Sequence, residues 1–178
     1  MTGAALVVGG SGAIGAAICR AIAARGMDVA ITARSSTESA RNVAADVEGL
    51  GNRSWVVEVD LDEPESLARA VKETVDNFGS LDTLIYAAGL FPDQMWCSTV
   101  DIEKFRAHLV SETVGCFASI SYAIPHLRET AGSVVAVTSV AVRRNVRRDV
   151  LSASPKAAIE ALIRSVAAEE GRYGLRAN

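Results

Sequence analysis

In the stretch LVVGGSGAIG, Gly9, Gly12 and Gly15 follow an apolar run and open an alanine-rich segment, AIGAAICRAIAARG, that closes at Gly26. Residues without a β-carbon tolerate positive φ and let backbone N–H groups approach an anion at a helix N-terminus, where the dipole also favours negative charge. This is the chemistry of pyrophosphate binding, with the backbone of Ser11, Ala13 and Ile14 completing the cradle. A second chemical signal closes the next apolar run, MDVAITAR, where Ala33 is followed by Arg34 and Ser35. An acidic residue there would bond a ribose 2′-hydroxyl. A guanidinium beside two successive hydroxyls, Ser35 and Ser36, favours a 2′-phosphate, hence NADP (NADPH) over NAD. Further along, Ser152 and Lys156 stand four residues apart in DVLSASPKAA, one helical turn, so a hydroxyl and an ammonium share a face.

Such residues need a scaffold that brings strand ends together. Apolar runs of strand length recur at ALVVGG, MDVAITAR, SWVVEVD, LDTLIYAAG and GSVVAVTS, each followed by a longer segment of helical spacing. Alternation of this kind predicts βα units around a buried parallel sheet: a doubly wound, Rossmann-type, three-layer α/β/α fold in one domain over residues 1–178. In DLDEPESLARAVKETVDNFG, Asp62 reads as a helix cap, Pro64 as a first-turn residue and Gly79 as the stop. A long helix is expected from Asp101 to Glu129, carrying His108 and His126 as structural residues without partners at metal-ligand spacing.

The chain has 178 residues, 49% of them hydrophobic, and a formal net charge of -3. That charge supplies no global basic field for nucleic acid or anionic lipid. No apolar run is long enough to span a bilayer and no basic leader precedes the first strand, so no membrane partner is expected. Three widely spaced cysteines, Cys19, Cys97 and Cys116, suggest neither a disulfide framework nor a zinc site and fit a reducing cytoplasm. The one charge run, RRNVRRD at 143–149, reads as a solvated loop or as a contact for an acidic substrate.

Over nearly its whole length the sequence resembles the short-chain dehydrogenase/reductase family, which implies the strand order 3-2-1-4-5 with a sixth strand starting near Leu175, where AAEEGRYGLRAN resembles the segment entering it. GGSGAIG is similar to the family's glycine loop, with Ala13 where a glycine is usual; VDLDE resembles its adenine motif, implying Asp60 and the backbone of Leu61 at the adenine. LDTLIYAAG resembles its fourth strand, implying Ala87, Ala88 and Gly89 at the cofactor, and GSVVAVTS the strand that delivers a catalytic serine, here Ser139. The resemblance further implies a lysine, Lys156, on the nicotinamide ribose, and a homodimer or homotetramer built on the Asp101 helix and the helix carrying Lys156. The implied activity is that of an NADP-dependent carbonyl reductase or alcohol dehydrogenase, 3-oxoacyl reductase-like, acting on a small molecule.

The pattern departs from the family at three points. Ser152 falls where the family has its tyrosine acid–base group, thirteen residues after Ser139. Glu112, in VSETVGCF, falls where it has an asparagine. The family's substrate lid and last strand have no counterpart in these residues. An aliphatic hydroxyl is a far weaker acid than a phenol and reaches less far. Loss of a placed general acid is worth roughly 10² to 10⁴ in rate. The replacements open to the chain are a water held by Ser139 and Ser152, a protonated Glu112, or Tyr86. The alternatives to slow redox turnover are a catalytically silent NADP-binding sensor or assembly subunit, and a non-redox enzyme with Glu112 as base. Pro155, just before the lysine, is expected to remove an amide donor from a helical first turn.

Overall fold

The computed structural model describes residues 3–35 and 38–178. Six strands alternate with five helices: β1 Ala4–Val8, α1 Ala13–Ala23, β2 Asp28–Ala33, α2 Glu38–Gly49, β3 Ser54–Glu58, α3 Pro64–Phe78, β4 Thr83–Tyr86, α4 Ile102–Glu129, β5 Ser133–Ala136, α5 Val150–Glu170 and β6 Arg176–Ala177. The strands form one parallel sheet, as the alternation of patterns predicts, in the order β3-β2-β1-β4-β5-β6 that the family resemblance implies. β1 is central, pairing Leu6 with Ala30 on one side and with Leu84 on the other. Its five residues are all buried, which is why AALVV reads as an unbroken apolar run.

The pleat divides that run between two cores. Leu6 and Val8 join Leu84, Tyr86, Ile120, Leu127 and Ile159 under α3, α4 and α5. Val7 joins Cys19, Ile31, Val43, Val47 and Ile85 under α1 and α2. Helices on both faces give the three-layer α/β/α arrangement. Every strand's carboxyl end therefore opens on the same edge, where a crevice forms between β1 and β4, the point at which the winding reverses.

Helix punctuation agrees with the sequence at most ends. Asp101 caps α4, accepting from the amides of Glu103 (2.9 Å) and Lys104 (3.2 Å). Gly79 closes α3 in the left-handed region at φ 88°, where a β-carbon would be strained. Two local expectations fail. Asp62 does not cap α3: Pro64 at the first position sets the boundary at Glu63, while the Asp62 amide donates to Asp60 Oδ1 in a turn. Pro155 lies in the second turn of α5, not the first, and so removes the N–H that would meet the Leu151 carbonyl.

Candidate functional site

The crevice begins at the glycine loop. Gly9 sits at φ 83°, and a β-carbon on it would lie 2.8 Å from the backbone of Ala88. Its amide donates to Thr32 Oγ1 at 2.9 Å. A β-carbon on Gly15 would overlap the Gly9 carbonyl oxygen. The loop is thus pressed against β4 at one side and against its own helix at the other. Gly12 is the cap residue of α1 and supplies no side-chain cap, so the first-turn amides of Ala13, Ile14 and Gly15 are left for another acceptor. This cradle fits a pyrophosphate.

A cavity of about 230 Å³ runs from the loop along the strand ends. Its walls bring together Gly9, Ser11, Gly12, Arg34, Asp60, Leu61, Ala87, Ala88 and Gly89, residues drawn from four separate parts of the sequence. Ala13, Ile14, Gly15 and Ser35 border the loop and β2 without forming its walls. Thr32, Leu90 and Ser111 also line the cavity and were not anticipated. Thr32 had a signal, a lone hydroxyl in the apolar run of β2; Ser111 had none.

At the β2 end the letters Ala33, Arg34 and Ser35 show no carboxylate beside the guanidinium, and the structure corrects that reading. Arg34 does not stand clear of carboxylates: its Nη2 lies 3.7 Å from Asp60 Oδ2. The arginine side chain is 72% exposed and the aspartate 37%, so solvent screens the pair and the guanidinium keeps its freedom to turn to a phosphate. Ser36, the second of the two hydroxyls, lies outside the described residues.

The other end of the crevice is governed by side-chain charge. Lys156, from α5, donates through Nζ to the Ala88 carbonyl at 3.1 Å and lies 3.0 Å from Glu112 Oε2 of α4. Glu112 is not a solvated helix residue. It is 2% exposed, its Oε1 accepts the Leu90 amide at 3.2 Å, and its Oε2 has charge contact with the lysine but no well-aligned hydrogen bond. Tyr86 lies beneath, its ring 5.9 Å from Lys156 Nζ. The phenol is wholly buried and donates to the Glu112 carbonyl at 3.0 Å, and burial pushes its pKa up, with Cys116 and Glu112 adding to the rise. Tyr86 is therefore unsuited to donate a proton to a substrate.

The two serines are placed by short local structure. Ser139 follows β5 and its Oγ accepts the Ala141 amide at 3.1 Å, capping the single turn Val140–Val142. Ser152 is the third residue of α5, half-buried, its amide donating to the Asp149 carbonyl at 3.1 Å. Among the described residues no hydrogen bond joins either hydroxyl to Lys156 or Glu112. His108 is buried on α4 with Nδ1 unpartnered, and the described residues hold no group of three potential metal ligands. No described helix is long and apolar enough to cross a membrane.

A six-stranded parallel sheet in this order, with a glycine cradle at the β1–α1 turn and a lysine under the β4 edge, defines a Rossmann-type α/β fold. The sequence profile described as enoyl-(acyl carrier protein) reductase matches residues 9–178, and the chain belongs to the short-chain dehydrogenase/reductase family. It is 30% identical over 173 residues to L-fucose dehydrogenase of Rattus norvegicus, covering 97% of this chain and 62% of that protein. It is 32% identical over 174 residues to a hydroxynaphthalene reductase of Aspergillus fumigatus, covering 98% and 63%. The carveol dehydrogenase of Mycobacterium avium, solved in complex with NAD, superposes with a TM-score of 0.92 at 22% identity, over 98% of this chain and 68% of that one. The chain thus spans about three-fifths of the length of the curated relatives it matches. The family is one of oxidoreductases, its typical cofactor is a nicotinamide dinucleotide, NAD or NADP, and its substrates are small molecules.

Proposed function

We propose that this protein is an NADP-dependent oxidoreductase that interconverts a carbonyl and an alcohol on a small organic substrate. The observation that carries the reading is the single cavity walled by the glycine loop, Arg34, Asp60–Leu61 and Ala87–Gly89, with Lys156 anchored on the Ala88 carbonyl at its far end. In this reading the open amides of Ala13, Ile14 and Gly15 take the pyrophosphate, with Ser11 and Gly12 beside them. Arg34 and Ser35 take the 2′-phosphate, and Asp60 and the Leu61 backbone border the adenine. Ala87, Ala88 and Gly89 form the floor, and Lys156 uses its remaining N–H on the nicotinamide ribose. The bound nicotinamide supplies or accepts a hydride; the chain's own task is to orient the substrate oxygen and supply its proton.

Ser152 occupies the position at which the family's tyrosine acts, and Glu112 that of its asparagine. With Tyr86 engaged elsewhere, the arrangement favours a water held by Ser139 and Ser152 as proton donor. Turnover should then be slow. The test is NADPH consumption against a panel of ketones, followed by Ser152→Tyr, which should raise the rate by roughly 10² to 10⁴. No turnover by either form with saturating NADPH overturns the reading.

The buried Glu112–Lys156 pair favours a second reading. A carboxylate 3.0 Å from the ammonium offsets its positive field, which suits a protein that binds NADPH without consuming it, a sensor or a silent subunit. Binding without oxidation of the cofactor identifies that case. A non-redox reaction with Glu112 as base would give product with the cofactor unchanged. A homodimer or homotetramer through α4 and α5 is supported by the exposed apolar side chains Val110, Val114 and Phe117 on α4, spaced for one helix face. Residence in the cytoplasm is supported by the free cysteines Cys19, Cys97 and Cys116, of which Cys97 is exposed.

A further inference from the structure

A second concavity opens on the same edge of the sheet, between the loop that leaves β4 and the loop that leaves β5. Its volume is about 330 Å³, and Trp96, Val146, Arg147, Arg148, Asp149 and Val150 form much of its wall. We propose that this pocket binds the acidic end of a small amphiphilic substrate, with Arg147 as the partner of its anionic oxygens.

The charges of the 143–149 loop are not equivalent. Arg143 is paired with Glu160 at 3.1 Å. Arg148 is spent on structure, donating through Nε (3.1 Å) and Nη2 (2.7 Å) to the Gln94 carbonyl, with its guanidinium 6.0 Å from the Trp96 ring. Arg147 is exposed, and among the described residues no carboxylate lies within ion-pairing distance of it. A planar guanidinium with unused donors is suited to bidentate contact with a carboxylate or phosphate. Asp149 is the adverse charge in the wall. Two cations against one anion leave the pocket positive in a chain whose net charge is -3. The first turn of α5, uncapped by any side chain, adds its partial positive charge to the same wall.

This segment is not built as a loosely solvated loop. Arg148 holds φ 66°, a left-handed conformation that non-glycine residues rarely adopt. Its carbonyl accepts the Met95 amide at 3.1 Å, and Met95 and Asp149 form an isolated parallel bridge. Strain retained by a zip between two loops is the pattern found where a chain must hold side chains in place for a ligand. Trp96 and Val146, 53% and 50% exposed, give the apolar surface that an amphiphile's hydrocarbon part would cover. Ala141 and Ala153 also line the wall, two residues after Ser139 and one after Ser152 in sequence. A substrate anchored by its acid group would thus rest on the two segments that carry the serines, the turn after β5 and the start of α5, a consequence that rests on the reading of those serines given above.

The test is calorimetric titration of the full chain with octanoate and with the neutral octanamide, with NADPH titrated separately. Octanoate should bind more tightly than octanamide and weaken as salt is raised. Arg147→Ala should weaken octanoate by about 10-fold, the loss of one charge-assisted contact, and leave octanamide and NADPH unchanged. Arg147→Lys should restore part of the affinity, and Asp149→Asn should increase it. Equal binding of acid and amide, or octanoate affinity indifferent to Arg147→Ala, overturns the proposal. Octanoate binding without NADPH binding would instead refute the nucleotide reading and leave this one standing; NADPH binding without octanoate binding does the reverse.

Discussion

The two ends of the crevice are built from different materials. At the glycine loop the working groups are backbone amides, and the sequence contributes by omission: no β-carbon at Gly9 or Gly15, no capping side chain at Gly12. At the far end the working groups are side chains, Lys156 and Glu112, held by burial and by each other. Such a backbone site tolerates almost no change at Gly9 and Gly15, because a β-carbon there collides. A side-chain site can be rewritten one residue at a time while the fold stays intact, and on the proposed reading Ser152 and Glu112 are where such rewriting would fall.

The sharpest way to break this contrast is Gly15→Val. Its β-carbon has no room beside the Gly9 carbonyl, so the loop must shift off β4. Overpacking of this kind costs about 1–3 kcal/mol, and NADPH affinity should fall by about 100-fold, since the shifted amides no longer converge on one anion. A fluorescence titration checks it, and unaltered affinity would show that the loop is only a tight turn.

At the other end, and read in stability instead of affinity, Glu112→Leu strands the Lys156 ammonium in a site where it is 14% exposed. Breaking a buried pair from one side costs about 3–5 kcal/mol, whereas replacing both partners is often nearly neutral. Chemical denaturation should therefore show a large loss for Glu112→Leu and substantial recovery in Glu112→Leu/Lys156→Met. The exposed Lys72–Asp76 pair is the control, and Asp76→Ala should leave the midpoint almost unmoved. Equal losses at the two pairs would remove the distinction between the crevice's charged end and ordinary surface.

Arg34→Ala probes where the two materials meet. A phosphate contact on an exposed guanidinium should be worth about 10-fold in NADPH affinity, with NADH unaffected. If both dinucleotides respond alike, the 3.7 Å contact to Asp60 is the residue's role and the preference for NADP fails.

The same division explains what could be read from the letters. The sheet order, the glycine cradle and the reach of α4 were legible because strand runs, glycine spacing and the Asp101 cap are local signals that topology rules assemble. The Asp60 contact to Arg34 was hidden because 26 residues and a whole βα unit separate them, and only the sheet brings β2 and β3 ends together. Burial of Glu112 was equally invisible: its neighbours Ser111 and Thr113 are polar, and the groups that meet its carboxylate, the Leu90 amide and Lys156, are remote in sequence. The Asp62 cap failed by one residue because Pro64 fixed the boundary and Asp60 took the turn.

The smallest effect concerns a second ion pair between the same two helices. Arg128 of α4 and Glu170 of α5 make a bidentate contact, Nε to Oε2 at 2.7 Å and Nη2 to Oε1 at 2.9 Å, with Tyr173 stacked on the guanidinium at 4.2 Å. Hydrogen bonding from Arg128 holds the Glu170 carboxyl below its ordinary value of 4.5, against an opposing push from burial. A depressed pKa contributes stability above the value of the unfolded chain, and that contribution is lost as pH falls through the lower folded value. Melting temperature measured from neutral pH downward should therefore fall more steeply below pH about 4.5 in the parent chain than in Glu170→Gln, and the two curves should converge in acid. At neutral pH the difference should be about 2 °C, since the arginine side is 38% exposed and screened. Nucleotide affinity should be unchanged, because this pair lies at the amino end of β5, away from the carboxyl edge that forms the crevice. A loss of NADPH binding in Glu170→Gln would show that α4 and α5 transmit strain along their length, and that the far end of the crevice is not the independent side-chain site described here.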